Sequence, residues 1–494
     1  MTKSTSESVT SDEPVTQPKA GLLIGVLVVS AFVMILNETI LSVALRDLSV
    51  ELGVTTTTVQ WLTSGFLLTM AVVIPTTGFL LERYTPRQLF LTSLALFALG
   101  TLVSGLAPGF EVLLAGRVIQ AAGTAVMIPL LMTTVMRLIP AERRGATMGT
   151  IMIVIAVAPA IGPTIGGGLL AALGWRWMFF TVLPLVVVAL VIGLVWLHMD
   201  SETRHVPLDL FSVLLSAVGF GGLLYGLSSF GESGGGEQAV PPWLPLALGV
   251  AGVGVFVWRQ LRLQRDDRAL LDLRPLSRRS FVVGVVLMAL LFMCLLGAGA
   301  IMLPLFLQIV LGTNTFISGL AMLPGGLLLG LMGRPVGRLY DRFGARPLVI
   351  PGSLALATSM WLFTSLGANT SVVTVVGIHL VLMAGLGLMM TPVMTDSLSA
   401  LPDHLYSHGS AILTTLQQIA GALGTALFVT VAALGSASYS GTPDEAGLRA
   451  AFMTAGVVGV LTVLTALTTR RRPAAPEATA ATPNRETSGA AGVH

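Results

Sequence analysis

The strongest constraint on this chain is a series of fourteen uninterrupted apolar segments, the first at residues 21–45 and the last at 447–469. Each is long enough for the ~20 residues that a helix needs to cross a bilayer, whereas barrel strands are ~10 residues long and alternate in polarity. Only 10% of the residues are charged, against about 25% in soluble domains, too few to coat a 51.5 kDa globule. The sequence therefore specifies an all-α integral membrane protein, a polytopic bundle of fourteen transmembrane helices whose first partner is the lipid bilayer.

Several function classes drop out at once. The only lysines are Lys3 and Lys19, so no phosphate-binding G-x-x-x-x-G-K-[ST] loop exists and ATP is not the direct energy source. A single cysteine, Cys294, permits no disulfide framework or thiolate metal cluster, and no metal site or cofactor is expected. The net charge of +3 and pI of 9.3 do not signal nucleic acid, because the basic residues serve topology. If the segments alternate in direction, Lys3, Lys19, Arg83, Arg87, Arg137, Arg143, Arg144, Arg204, the run from Arg259 to Arg279, Arg338, Arg342, Arg346 and Arg470 to Arg472 share one side. Only Arg46, Arg176 and Arg449 fall on the other. The positive-inside rule makes the first side cytoplasmic, with both termini there. Residues 1–20 and 470–494 are polar or rich in Pro, Ala and Thr, and are expected to be disordered tails. The first apolar run has no small-residue cleavage site and is expected to be retained.

The chain repeats itself. GFLLERYTPRQL, Gly78 to Leu89, and GRLYDRFGARPL, Gly337 to Leu348, lie 259 residues apart. Without gaps, Gly78, Leu80, Glu82, Arg83, Arg87 and Leu89 meet Gly337, Leu339, Asp341, Arg342, Arg346 and Leu348. Both copies close the second segment of a six-segment set. The expected organisation is an N-terminal half at 21–198, an insert at 199–279 with two extra transmembrane helices, and a C-terminal half at 280–469. A small residue followed by an acid and a base at a helix end suits a gate: the glycine lets two helices approach, and the charges pair across the halves and part when they open. Simple enforcement of topology by the arginines is the plainer alternative, and two copies at one offset favour the gate.

These loops resemble the signature of the major facilitator superfamily, and the 6 + 2 + 6 count resembles its 14-helix drug:proton antiporter branch. Arg117-Val-Ile-Gln120-Ala-Ala-Gly123 is similar to the R-x-x-Q-G motif of the superfamily. Gly149, Ala158, Gly162, Pro163, Gly166 and Gly167 resemble the antiporter motif, with Ala158 in place of one glycine. Leu36 to Leu45 is similar to L-D-x-T-x-x-N-x-A-L-P, but Asn37 stands where the branch has Asp, Glu38 follows it, and Arg46 replaces Pro. One residue is about 100° around a helix, so Glu38 need not face where the missing acid would. The first loop copy also departs, with Glu82 for Asp, and Thr85 and Pro86 where Gly and a basic residue are usual.

The resemblance implies a proton-coupled multidrug efflux antiporter in a bacterial plasma membrane; a monomer is expected, although the sequence itself does not name the oligomeric state. It would export lipophilic, cationic small molecules against protons by rocking of the two halves. Charges inside spans are costly and read as functional. Counting 1.5 Å per residue, Glu38 lies about 24 Å up its helix and Arg117 about 10 Å below the outer boundary, with His379 at similar depth; Asp396 lies about 36 Å from Val372, near the inner end. In the superfamily fold that the chain resembles, segments one, four and twelve line the central cavity, so Glu38, Arg117 and His379 are expected to converge in its outer half as coupling residues, with Asp396 as a further candidate. Trp61, Phe66, Gln120, Met127, Met288, Met293, Gln308 and Gln417 are candidates for an adaptable pocket lining. Three other readings stand beside this one: a dedicated exporter of one metabolite or antibiotic, an uncoupled receptor or lipid-handling protein of the same fold, and an importing symporter, against which the Gly162–Gly167 string weighs.

Overall fold

A chain in lipid must satisfy its backbone polar groups internally, which leaves helices as the way to thread a long apolar run across the bilayer. The computed structural model describes residues 17–41, 44–196, 209–232, 241–436 and 444–469, and each apolar segment carries a helix there. The first half holds α1 (Gln17–Ile40), α2 (Thr56–Val73, continued through the 3-10 turn Ile74–Thr76 into Thr77–Arg83), α3 (Pro86–Gly105), α4 (Phe110–Leu138), α5 (Arg144–Leu173) and α6 (Arg176–Trp196). The insert supplies α7 (Leu210–Glu232) and α8 (Trp243–Leu263). The second half holds α9 (Arg279–Phe292, passing through the π-helical stretch Met293–Met302 into Leu303–Ile309), α10 (Thr315–Phe343), α11 (Arg346–Phe363), α12 (Val372–Ser399), α13 (Tyr406–Gly435) and α14 (Glu445–Leu467). Among the described residues, twelve of these are long and apolar enough to cross a membrane outright. A thirteenth, α5, is bent by 41° between Ala141–Pro159 and Thr164–Leu173, and the fourteenth helix, the eighteen-residue α11, is not among the helices that meet this measure. The bend brackets residues 160–163, where Pro163 removes a backbone donor.

Local sequence sets the helix starts. Thr85 and Gln88 form a reciprocal capping box with Pro86 at the first helical position of α3. Asn314, Ser371 and Asp444 accept the exposed N–H groups that open α10, α12 and α14. The first helix begins at Gln17, so it takes in the last four residues of the 1–20 stretch; residues 1–16 and the 470–494 tail lie outside the described residues, as do 42–43 of the first motif.

The packing repeats the internal duplication. Within the halves, α3 lies along α4 and α11 along α12. Between them, the second helix of each half meets the fifth of the other: α2 against α13, and α5 against α10. The inserted α7 and α8 pack on each other, and α7 covers the α2 and α13 side. The two loop motifs close α2 and α10 at the same end of the bundle, which we call the motif end.

Candidate functional site

The most demanding group in the bundle is Arg117, 0% exposed on α4. A buried guanidinium costs heavily unless its protons find acceptors. Its Nη1 donates to Asn37 Oδ1 at 3.3 Å and Gln120 Oε1 at 3.0 Å, and its Nε to the Leu62 carbonyl at 3.4 Å. Its other face lies 4.2 Å from the centroid of Phe66, a cation–π contact worth about 2 kcal/mol when desolvated. Gln120 Nε2 donates in turn to Asn37 Oδ1 at 3.2 Å and Thr101 Oγ1 at 2.7 Å. One amide oxygen, that of Asn37, thus accepts from both the arginine and the glutamine and ties α1 to α4.

Glu38 stands beside this network on α1, partly buried and within electrostatic reach of Arg117, but it forms no ion pair with it. His379, on α12, is 3% exposed and packs against Gly325 of α10, with Nδ1 making no hydrogen bond among the described residues. The structure brings Glu38, Arg117 and Gln120 together and holds His379 in the other half. Asp396 sits elsewhere, 3.5 Å from the Tyr340 hydroxyl, in a small cleft that it shares with Arg279, Ser280 and Thr468. Of the candidate lining residues, Phe66 and Gln120 belong to the arginine network, and Met127, Met288 and Met293 lie in the apolar core. Trp61 is half-exposed and stacks on Tyr225 of α7 at 5.6 Å. Gln308 is half-buried on α9 and Gln417 buried on α13.

At the motif end the two acids of the repeat seal the two seams differently. Asp341 caps α5: its Oδ1 accepts from Gly145 N–H at 2.7 Å and its Oδ2 from Ala146 N–H at 2.8 Å, where the helix dipole favours a carboxylate. Glu82 instead lies 3.0 Å from His408 Nε2 in the first turn of α13. The motif glycines give the reason for the close approach. Gly337 and Gly145 meet backbone to backbone, as do Gly333 and Gly149, and the His408 ring occupies the space that a Gly78 side chain would fill. Of the motif arginines, Arg87 donates to the Leu194 carbonyl of α6 at 2.8 Å, Arg83 lies 5.9 Å from the Phe79 and Tyr84 rings, and Arg342 lies 5.1 Å from Phe343. Arg346 opens α11. Arg144 bridges the seams by donating to the Tyr406 hydroxyl at 3.4 Å.

A family model for the Major Facilitator Superfamily matches residues 27–425. The chain belongs to that superfamily. It is 39% identical over 434 residues to the lincomycin resistance protein LmrB of Bacillus subtilis (strain 168), covering 87% of this chain and 90% of that one. It is 30% identical over 406 residues to the multidrug resistance protein B homolog of Mycobacterium tuberculosis (strain ATCC 25618 / H37Rv), covering 82% and 74%. The crystal structure of the human organic anion transporter MFSD10 (TETRAN) has a TM-score of 0.65 at 17% identity, over 91% of this chain and 100% of that one, a likeness of fold. This major facilitator protein is therefore a multi-pass membrane transporter rather than an enzyme, with bacterial antibiotic- and multidrug-resistance relatives.

Within this major facilitator fold, α5 connects the two regions just described. Its motif-end glycines Gly145 and Gly149 lie on α10, while Gly162 packs on Thr39 and Gly166 on Ile40 of α1, next to Glu38. Thr39 Oγ1 also reaches the Ala158 carbonyl at 3.5 Å. Gly167 is half-buried on the same helix, and Pro163 falls in the bend. Sequence reading missed His408, Gly145 and Gly333, and treated Asn37 as a departure rather than as the direct partner of Arg117. A histidine two residues into the first turn of a span, opposite a motif acid, is the signal that was available for His408.

Proposed function

We propose that this protein is a proton-coupled multidrug efflux antiporter of a bacterial plasma membrane, exporting lipophilic, cationic compounds by alternating access, with the motif end and both chain termini in the cytoplasm. The observation that carries the reading is the position of Glu38: a membrane-embedded carboxylate beside a buried arginine network, on the helix against which the outer glycines of α5 pack. A proton neutralises Glu38 and leaves Arg117 held by Asn37, Gln120 and Phe66. Loss of the proton leaves a carboxylate that a cation can neutralise in its place. Proton and cationic substrate then compete for one charge, which is the reciprocal linkage that antiport needs.

The bent α5 supplies the mechanical link. Its outer part follows α1, its inner part forms the glycine seam with α10, and Asp341 caps its first turn. A shift of α1 on exchange of proton for cation biases the seam, so gating by Glu82, Asp341 and their neighbours follows occupancy at Glu38. The test is the energy source: efflux of a lipophilic cation from cells collapses on adding an uncoupler while ATP remains high. Efflux that requires ATP and ignores the proton gradient refutes the reading.

A further inference from the structure

The chain between α8 and α9 carries a feature that its composition does not account for. It is rich in charge, from Arg265 through Arg279, and should lie in water. Yet Leu270 and Leu271 are 2% and 3% exposed. The backbone there is held at three successive amides: Gln260 Oε1 accepts from Leu270 N–H at 2.8 Å and Leu271 N–H at 3.3 Å, and Asp272 N–H donates to His408 Nδ1 at 3.2 Å. Gln260 is fully buried at the end of α8, where its Nε2 donates to Ser212 of α7 at 2.9 Å. Arg274 closes the turn by pairing with Asp267 at 2.6 Å and Asp272 at 3.5 Å.

His408 is the point of convergence. Because Nδ1 accepts from Asp272, the ring proton sits on Nε2 and is directed at Glu82. The ring fills the space over Gly78, where a Cβ would lie 3.2 Å from its Cε1. One imidazole therefore joins the glycine and acid of the first-half motif, the first turn of α13 and the insert. In the other seam Asp341 reaches the helix amides directly.

We propose that residues 264–278 are a strap that holds the α2–α13 seam shut, that His408 is the positioning residue through which it acts, and that the inserted helix pair serves to anchor this strap. Opening of the motif end requires the strap to leave His408. The inference rests on the alternating-access part of the proposed function, not on proton coupling.

The test is hydrogen–deuterium exchange of the full protein in lipid nanodiscs, read on the peptide containing the amides of Leu270, Leu271 and Asp272, with efflux measured in parallel. His408→Ala and His408→Gln, which lack the acceptor at Nδ1, should raise exchange there about tenfold and lower efflux severalfold. His408→Asn, whose Oδ1 can accept from Asp272 while the contact of Nε2 with Glu82 is lost, should keep exchange of this peptide near wild type. In the wild type, turnover with a transported dye should speed exchange of this peptide over the resting rate. Unchanged exchange in His408→Ala, unchanged efflux despite faster exchange, or equal rates at rest and in turnover each overturn the strap. If the alanine variant fails to insert, the wild-type turnover comparison decides. Loss of proton release with strap exchange still following substrate would sink antiport and leave the strap.

Discussion

Replacing Gly149 by alanine probes the seam at its tightest point. A Cβ there would lie 2.6 Å from the Gly333 carbonyl carbon and 3.0 Å from Arg334 Cα, as well as inside contact distance of the Gly333 oxygen. Ordinary contact begins at 3.4 Å, and the obstructing atoms are backbone, so α5 and α10 must part by about 1 Å. Overpacking of this kind costs about 1–3 kcal/mol. Taking about 2 kcal/mol, the equilibrium between sealed and opened seams moves about 30-fold, for example from about 99:1 to about 3:1. Gly254→Ala is the matched control, since a Cβ at Gly254 on α8 meets nothing within 4 Å. Spin labels at Glu142→Cys and Leu339→Cys, on either side of the seam, report the separation by pulsed electron resonance. Gly149→Ala should shift weight to the longer distance and slow efflux, with Gly254→Ala like wild type. A Gly149→Ala variant with the wild-type distance distribution would refute the backbone-contact argument.

Other perturbations follow from the same geometry. Asp341→Ala removes the acceptor for Gly145 and Ala146 N–H; a lost cap costs about 1 kcal/mol, and efflux should fall severalfold while expression and insertion hold. Arg117→Lys keeps the charge but cannot reach Leu62, Asn37 and Gln120 together, so coupling should weaken, read as fewer protons released per substrate. At the insert, Arg259 holds the Asp209 carboxyl below its usual range through a hydrogen bond of 2.8 Å. The folded-state value is depressed, so the contribution of the pair, at most about 1 kcal/mol for a partly exposed bridge, is complete above the unfolded carboxyl pKa and disappears as pH falls through the folded one. Thermal melts of wild type and Asp209→Asn should therefore differ at neutral pH and converge in acid.

Much of the architecture was legible because lipid leaves few alternatives. Fourteen apolar runs could only become helices, and the repeat of Gly78–Leu89 at Gly337–Leu348 located equivalent ends of α2 and α10 before any contact was known. Arg117 was legible as a costly charge that had to be satisfied. Its partner was not: Asn37 and Glu38 differ by one position, and only the register of α1 against α4 decides which of them touches the guanidinium. The gate shows the same limit. The sequence marks Glu82 and Asp341 as equivalent, but one meets bare helix amides and the other an imidazole, because what faces each acid is set by a helix hundreds of residues away or on the opposite half. Gly145 and Gly333 were hidden for that reason too, since in a chain with 55 glycines close backbone approach is a property of pairs.

The account depends most on Glu38 as the group that exchanges a proton for substrate. The direct measurement is substrate-induced proton release from inverted membrane vesicles, recorded with a pH-sensitive dye for the wild type and for Glu38→Gln at matched protein levels. The glutamine keeps the shape and removes the charge change. Wild-type vesicles should release protons on addition of a lipophilic cation, and Glu38→Gln vesicles, with the protein correctly inserted, should release none and take up no substrate above the uncoupled background. Proton release by Glu38→Gln equal to that of the wild type would contradict the account and move the coupling site to His379 or Asp396.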